Sequence, residues 1–374
     1  MTERIGYLEG LRGLAAFTVF LGHFIPFFII VSPLMDFAFT GREFSVCIFF
    51  VLSGYVLTLP FFNNKKHETL VSSAVRRYIR LLIPILFFLF IIYFYVYPGT
   101  RDILDLKGFG DMISLAFWGV FVQGQITYFP AASQYTSVLW TITIEFIGSF
   151  IVFSFASLFG KLRNRWVFYI VALILFLNTY YLAFILGMIL ADGYNTELSR
   201  VLKIENPYIL ALIFLIALIL GAFPESFETI GMYSAMVVLT TVITTTGPFA
   251  GTILFQPGSG ISLSYFIHIL GAFFLLFALI NMEWLKKALS SSVPVFFGKI
   301  SFSLYLIHIL VIFAFSALVR YILFNNEVNF VSGIGTLTIT LPVLFGASLL
   351  MYKYVDIPGI AFSKWMYNRF FKIT

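Results

Sequence analysis

The chain is short of charge and of cysteine. Of its 374 residues only 11% are charged, and one, Cys47, is a cysteine. Ordinary globular domains carry about a quarter charged residues, so this composition excludes a water-soluble surface. A single cysteine excludes a disulfide framework and a multi-cysteine metal site; Cys47 lies in an apolar run and reads as packing. There is no phosphate-cradling glycine fingerprint, no G-x-S-x-G elbow and no paired-histidine zinc spacing, so no metal is expected. The first apolar segment lacks the small-residue pattern of a cleavable signal peptide. With no repeat, linker or appended soluble domain, residues 1–374 read as one integral-membrane domain.

What is abundant is apolar: 60% of residues are hydrophobic, 20% aromatic, and 48 are phenylalanine. Stretches of about 17–25 apolar residues recur from end to end, which predicts helices rather than a barrel. The expected fold is all-α, a polytopic transmembrane helical bundle. Spans fall near 11–31, 44–62, 81–97, 138–159, 166–191, 207–223, 228–247, 262–281, 301–324 and 335–354. Asn178 interrupts 166–191, which is one long tilted span or two short ones, giving about ten spans with eleven possible. Four basic clusters occur, in the loops at 63–80 and 160–165, at Lys286, Lys287 and Lys299, and at Lys364, Arg369 and Lys372. Ten spans put all four on the N-terminal side, as the positive-inside rule asks, with both termini cytoplasmic. The net charge of +6 therefore reads as topology in a cell (inner or plasma) membrane, with lipid as partner and no nucleic acid. Residues 98–137 would then face outward, with 109–122 a re-entrant or interfacial helix, and with Gly124, Pro130 and Ser133 in loop.

Polar groups inside such spans are the functional candidates. The first stretch, LEGLRGLAAFTVFLGH at 8–23, carries Glu9, Arg12 and His23. Eleven helical steps are about three turns plus about 20°, so Arg12 and His23 share a face about 16 Å apart. Glu9 precedes Arg12 by three and joins the same stripe. A neutral imidazole at this depth is a proton acceptor, whereas Glu9 and Arg12 could equally snorkel from the interface.

Four further strings carry polar groups. In VRRYIRLLIP (75–84), Arg76, Arg77 and Arg80 fall on one side of a helix. Guanidinium forks suit the phosphate oxygens of a phosphorylated cosubstrate, although charge alone favours an ordinary positive-inside anchor on lipid headgroups. FFVLSGYVLT (49–58) sets Gly54 between Ser53 and Tyr55, which serves helix packing or ligand contact. In LWTITIEFIGS (139–149), Trp140 suits the outer interface, with Glu145 about 7.5 Å deeper. That carboxylate wants an Arg or His partner and could orient an imidazole, hold a sugar hydroxyl or serve a structural pair. In GKISFSLYLIH (298–308), Ser301, Tyr305 and His308 form one stripe, lining a site or packing helices. His268 is a weaker instance, His67 reads as a solvated loop residue, and Asp356-Ile-Pro as a helix terminator.

In this order the strings resemble the integral-membrane acyltransferase family 3, O-acyltransferases that modify surface carbohydrates. The opening is similar to the family's L-D-G-L-R-G-x-A…H signature, with Glu9 where Asp is usual. Thr141, Phe302 and Asp356 depart from the usual Ser, Tyr and Glu. The resemblance implies a donor acyl-CoA, usually acetyl-CoA, approached from the cytoplasm, and an acceptor hydroxyl on an outer polysaccharide such as lipopolysaccharide or exopolysaccharide, or on its lipid-linked precursor. On that reading His23 deprotonates the acceptor or carries the acyl group, Glu145 orients His23 or the acceptor, and Arg12 neutralises donor phosphate or the thioester oxygen. Arg76, Arg77 and Arg80, with Ser53 and Tyr55, would hold the donor; Glu9, Trp140, Ser301, Tyr305 and His308 would line the site. Without a fused outer domain, a hand-off of acyl groups would need a separate protein. The competing class is a proton-coupled transporter or flippase, which also places Arg, His and Glu inside spans.

Overall fold

The structure, a computed structural model, describes residues 5–28, 41–96, 106–123, 133–196, 199–223 and 263–371. Among these residues every regular element is helical. Among the described residues seven helices are long and apolar enough to cross a membrane: Gly6–Phe28, Arg42–Asn64, His67–Phe94, Ser137–Phe159, Ser264–Asn281, Ser292–Phe324 and Phe330–Phe370. Shorter apolar helices occupy Gly108–Val122, Arg165–Leu175, Tyr181–Gly193 and Pro207–Gly221. The span expected at 228–247, and the loop residues Gly124 and Pro130, lie outside the described residues.

The chain divides into two compact units, each assembled from separated segments. The first comprises Met1–Arg42, Ser72–Ile147 and Leu289–Thr374. Its most extensive packing joins α1 (Gly6–Phe28) to a helix we call α2 (Ser292–Leu310). The two run parallel, because Gly6 meets Ser290, Gly13 meets Gly298 and His23 meets His308. Close approach is possible because the facing residues lack side chains. A Cβ on Gly13 would collide with the Gly298 backbone, and one on Gly298 with the Glu9 carbonyl. Such small-residue contacts let helices pack tightly where lipid offers no hydrophobic drive.

Three expectations about element ends need correction. The loop at 63–80 is mostly helix: His67–Val96 is one 30-residue helix, α3, and His67 opens it. At 1.5 Å per residue it is about 45 Å long, against about 30 Å of hydrocarbon, so a basic end can project beyond the apolar part without leaving the helix. Asp356-Ile-Pro does not end its helix. Residues Tyr352–Asp356 form a π turn that runs straight into Ile357–Phe370, with a proline in the first turn of the latter. Proline removes an N–H and crowds the carbonyl four residues back, and the wider π turn accommodates both. Ser133 opens a short helix, Ser133–Thr136, rather than lying in loop. Residues 109–122 do form helix, Leu106–Ser114 continuing as a π segment to Gln123.

The second unit comprises Glu43–Val71 and Gly148–Ala288. Here 166–191 resolves into two helices, Arg165–Leu175 and Tyr181–Gly193, parted at 176–180 around Asn178. Gly54 and Gly187 let the helix carrying Ser53 and Tyr55 touch Tyr181–Gly193 backbone to backbone, at Phe184 and Val51. Asp192 is buried in this unit. It accepts from Arg165 Nε and Nη2 and from the Tyr169 hydroxyl, and Lys65 Nζ lies 3.7 Å away. Burial lowers the pKa of Lys65 from its ordinary value, with Asp192 working against that shift. His67 stands 3.5 Å from the Ser157 hydroxyl rather than simply in solvent.

Candidate active site

Eleven of the thirteen sequence-predicted site residues fall in the first unit, and their contacts link α1, α2, α3 and the helix Trp140–Phe159, here α4. Ser53 and Tyr55 belong to the second unit, flanking the close-packed Gly54.

Arg12 lies across α2. Its Nε donates to Ser301 Oγ at 2.9 Å and its Nη2 to the Gly298 carbonyl at 3.3 Å. Ser301 in turn donates to the same carbonyl at 2.8 Å, so one backbone oxygen anchors both side chains. Glu9 Oε2 stands 3.9 Å from Arg12 Nη2. The carbonyl is reachable because Gly298 carries no side chain, so the helix-packing glycine also shapes the site.

Farther along α1, His23 Nδ1 donates to the Val19 carbonyl at 2.9 Å. His308 Nε2 approaches that same Nδ1 at 3.3 Å, and the ring centroids lie 5.1 Å apart. His308 Nδ1 donates to the Tyr305 carbonyl at 2.7 Å. The stripe on α2 thus meets α1 at two levels, Ser301 at Arg12 and His308 at His23. Tyr305 turns elsewhere, its hydroxyl 2.8 Å from Thr141 Oγ1 and 3.0 Å from the Val138 carbonyl at the entry of α4.

Glu145 on α4 is paired with Arg77 of α3, Nη2 to Oε2 at 2.9 Å, with side chains 11% and 19% exposed. The imidazole beside His23 is His308, and the guanidinium beside Glu145 is Arg77. Arg76 Nε and Arg77 Nε are both buried and have no hydrogen-bond partner among the described residues. Tyr78 braces α3 by donating to the Phe117 carbonyl at 2.8 Å, and Thr143 braces α4 by donating to the Val120 carbonyl at 2.5 Å. Trp140 and Arg80 are half-buried on these two helices.

Sequence reasoning missed the direct His23–His308 contact and the part of Thr141. A signal existed for the first: 12 to 23 and 301 to 308 are each close to whole numbers of helical turns, so each helix presents its polar pair on one face. Which faces meet is a tertiary fact. For Thr141 no periodic signal exists.

An acid–base group, a guanidinium against a backbone oxygen, and buried guanidinium donors make a site suited to moving a proton beside an anion. The acyltransferase family 3 model, an acyltransferase domain, matches residues 5–353. The chain belongs to this family. That span takes in all thirteen candidate residues of the acyltransferase. Its several apolar helices make it a multi-pass membrane protein. No curated protein and no solved structure matches the chain.

Proposed function

We propose that this acyltransferase moves an acyl group, acetyl by preference, from cytoplasmic acyl-CoA to a hydroxyl of an outer polysaccharide or its lipid-linked precursor. The observation that carries the reading is the placement of Arg12 and His23 on one face of α1, each against a polar group of α2. A thioester is already activated, so the protein has to supply a base, alignment and stabilisation of the developing oxyanion. His23 takes the acceptor proton as the hydroxyl oxygen attacks the thioester carbon. Collapse of the tetrahedral adduct breaks the C–S bond, and the proton passes from His23 to the departing thiolate. Arg12 faces the oxyanion or donor phosphate. Arg76, Arg77 and Arg80 hold the nucleotide end of the donor, a role favoured by the unspent Nε atoms of Arg76 and Arg77. Glu145 fixes the Arg77 guanidinium in place. The reading gives no step to Ser53 and Tyr55. Glu9 supports Arg12, and Trp140 and Tyr305 frame the acceptor side.

The topology proposed with it has about ten spans and both termini in the cytoplasm of a cell membrane. The test is purified protein given labelled acetyl-CoA and surface glycan. Label that stays on the glycan and is released by alkali supports the reading; substrate moved across the membrane with no bond made would replace it with a carrier.

A further inference from the structure

We infer that His308 is the positioning residue for His23: it accepts the Nδ1 proton of His23 and so presents His23 Nε2, bare, to the acceptor hydroxyl. This rests on the reading of His23 as the base.

The argument is one of proton count. A carbonyl oxygen only accepts, so the nitrogen facing it must carry hydrogen. His308 Nδ1 faces the Tyr305 carbonyl at 2.7 Å, so it is the protonated nitrogen of a neutral ring. Its Nε2 is then a lone pair, and that lone pair points at His23 Nδ1 from 3.3 Å. His23 Nδ1 also faces the Val19 carbonyl at 2.9 Å. Two acceptors converge on one nitrogen. The opposite tautomer of His23 would set three lone pairs against one another in a low-dielectric interior, where unmet polar groups are costly. The arrangement therefore holds the proton on Nδ1 and leaves Nε2 as the nitrogen able to take another. When His23 becomes an imidazolium, its Nδ1–H stays on the His308 lone pair, which stabilises the positive ring without His308 changing its own protonation. An oriented partner on the far nitrogen is the recurring logic of histidine bases. Here a neutral ring takes that place.

Since the Val19 carbonyl alone still holds the proton on Nδ1, losing His308 should slow turnover by about tenfold to a hundredfold, less than losing the base itself. The test compares His308→Phe, His308→Asn and His308→Gln in purified enzyme reconstituted in lipid, with labelled acetyl-CoA and surface glycan. Phe keeps the ring volume with no acceptor. Asn can reproduce the bond to Tyr305 but reaches less far than Nε2, whereas the Gln amide oxygen can reach the position of Nε2. The expected result is a fall in kcat for Phe and Asn, with half-saturating donor concentration within about twofold, and recovery of most of kcat in Gln. Wild-type kcat in His308→Phe overturns the proposal, as does a Gln variant as slow as Phe. Thermal unfolding shows which variants retain the fold. If His308→Phe unfolds, the comparison of folded Asn with folded Gln decides. His23→Ala runs alongside: full activity there defeats the base assignment itself, whereas an inactive His23→Ala beside a normal His308→Phe defeats only the positioning role.

Discussion

Arg12 and His23 show how its neighbours set the duty of a polar residue inside a span. Each sits on α1: Arg12 reaches Ser301 and the Gly298 carbonyl through Nε and Nη2, while His23 meets Val19 and His308 through Nδ1. Arg76 and Arg77 differ in a comparable way. Arg77 is held by Glu145, whereas Arg76 makes no ion pair among the described residues. Two outcomes follow for these arginines. Arg76→Ala should raise the half-saturating acetyl-CoA concentration about tenfold or more, the size of a lost charge-assisted hydrogen bond, with an unchanged melting temperature. Arg77→Ala should in addition destabilise the protein by about 3 kcal/mol or more, because it strands the Glu145 carboxylate. Removing Glu145 together with Arg77 should restore part of that stability. Donor titrations and melts on the four proteins check this; an Arg76→Ala enzyme with wild-type donor affinity removes Arg76 from the grip.

At the scale of the element, the contact between α1 and α2 depends on glycine. Gly298→Leu would drive a side chain into the Glu9 carbonyl and push the helices apart, breaking the Arg12–Ser301 bond. Overpacking costs about 1–3 kcal/mol, and more when backbone has to move. The expected variant melts earlier and transfers no acyl group; one that keeps both properties would show that the contact is looser than described. The sequence made the polar faces of α1 and α2 legible, since period 3.6 lines up Arg12 with His23 and Ser301 with His308. It hid the facing of the two, which the steric fit of Gly13 and Gly298 decides. The partner of Glu145 was open between an Arg and a His, and only packing selects Arg77. Element ends were the least legible: hydropathy marks where lipid stops, while a helix such as His67–Val96 continues as long as its backbone bonds do. The S-G-Y string at 53–55 could not be sorted by pattern, because a glycine at a helix crossing looks the same as one beside a ligand.

For the whole molecule, composition alone dictated a helical membrane protein, since 11% charge leaves lipid as the main solvent. The ordered strings suggested a family that the match over residues 5–353 then established. The acceptor is not legible in the chain, because the proposed one, a sugar hydroxyl, would be recognised by shape and a few polar contacts rather than by a motif. Topology is open to a direct check. Reporter fusions active only in the cytoplasm should signal at both termini, as the basic clusters at 63–80 and 364–372 ask. A silent C-terminal fusion on a stable protein would require an odd number of spans.

The proposed reaction joins a cytosolic thioester to an outer alcohol through His23, and vesicles with sidedness test it most directly. Labelled acetyl-CoA is sealed inside, surface glycan is supplied outside, and the ester on the glycan is counted for wild type and for His23→Ala. The account predicts alkali-labile label on the outer glycan with wild type and none above background with His23→Ala. Label appearing only when donor and glycan share one side, or in equal amount from both proteins, would contradict it.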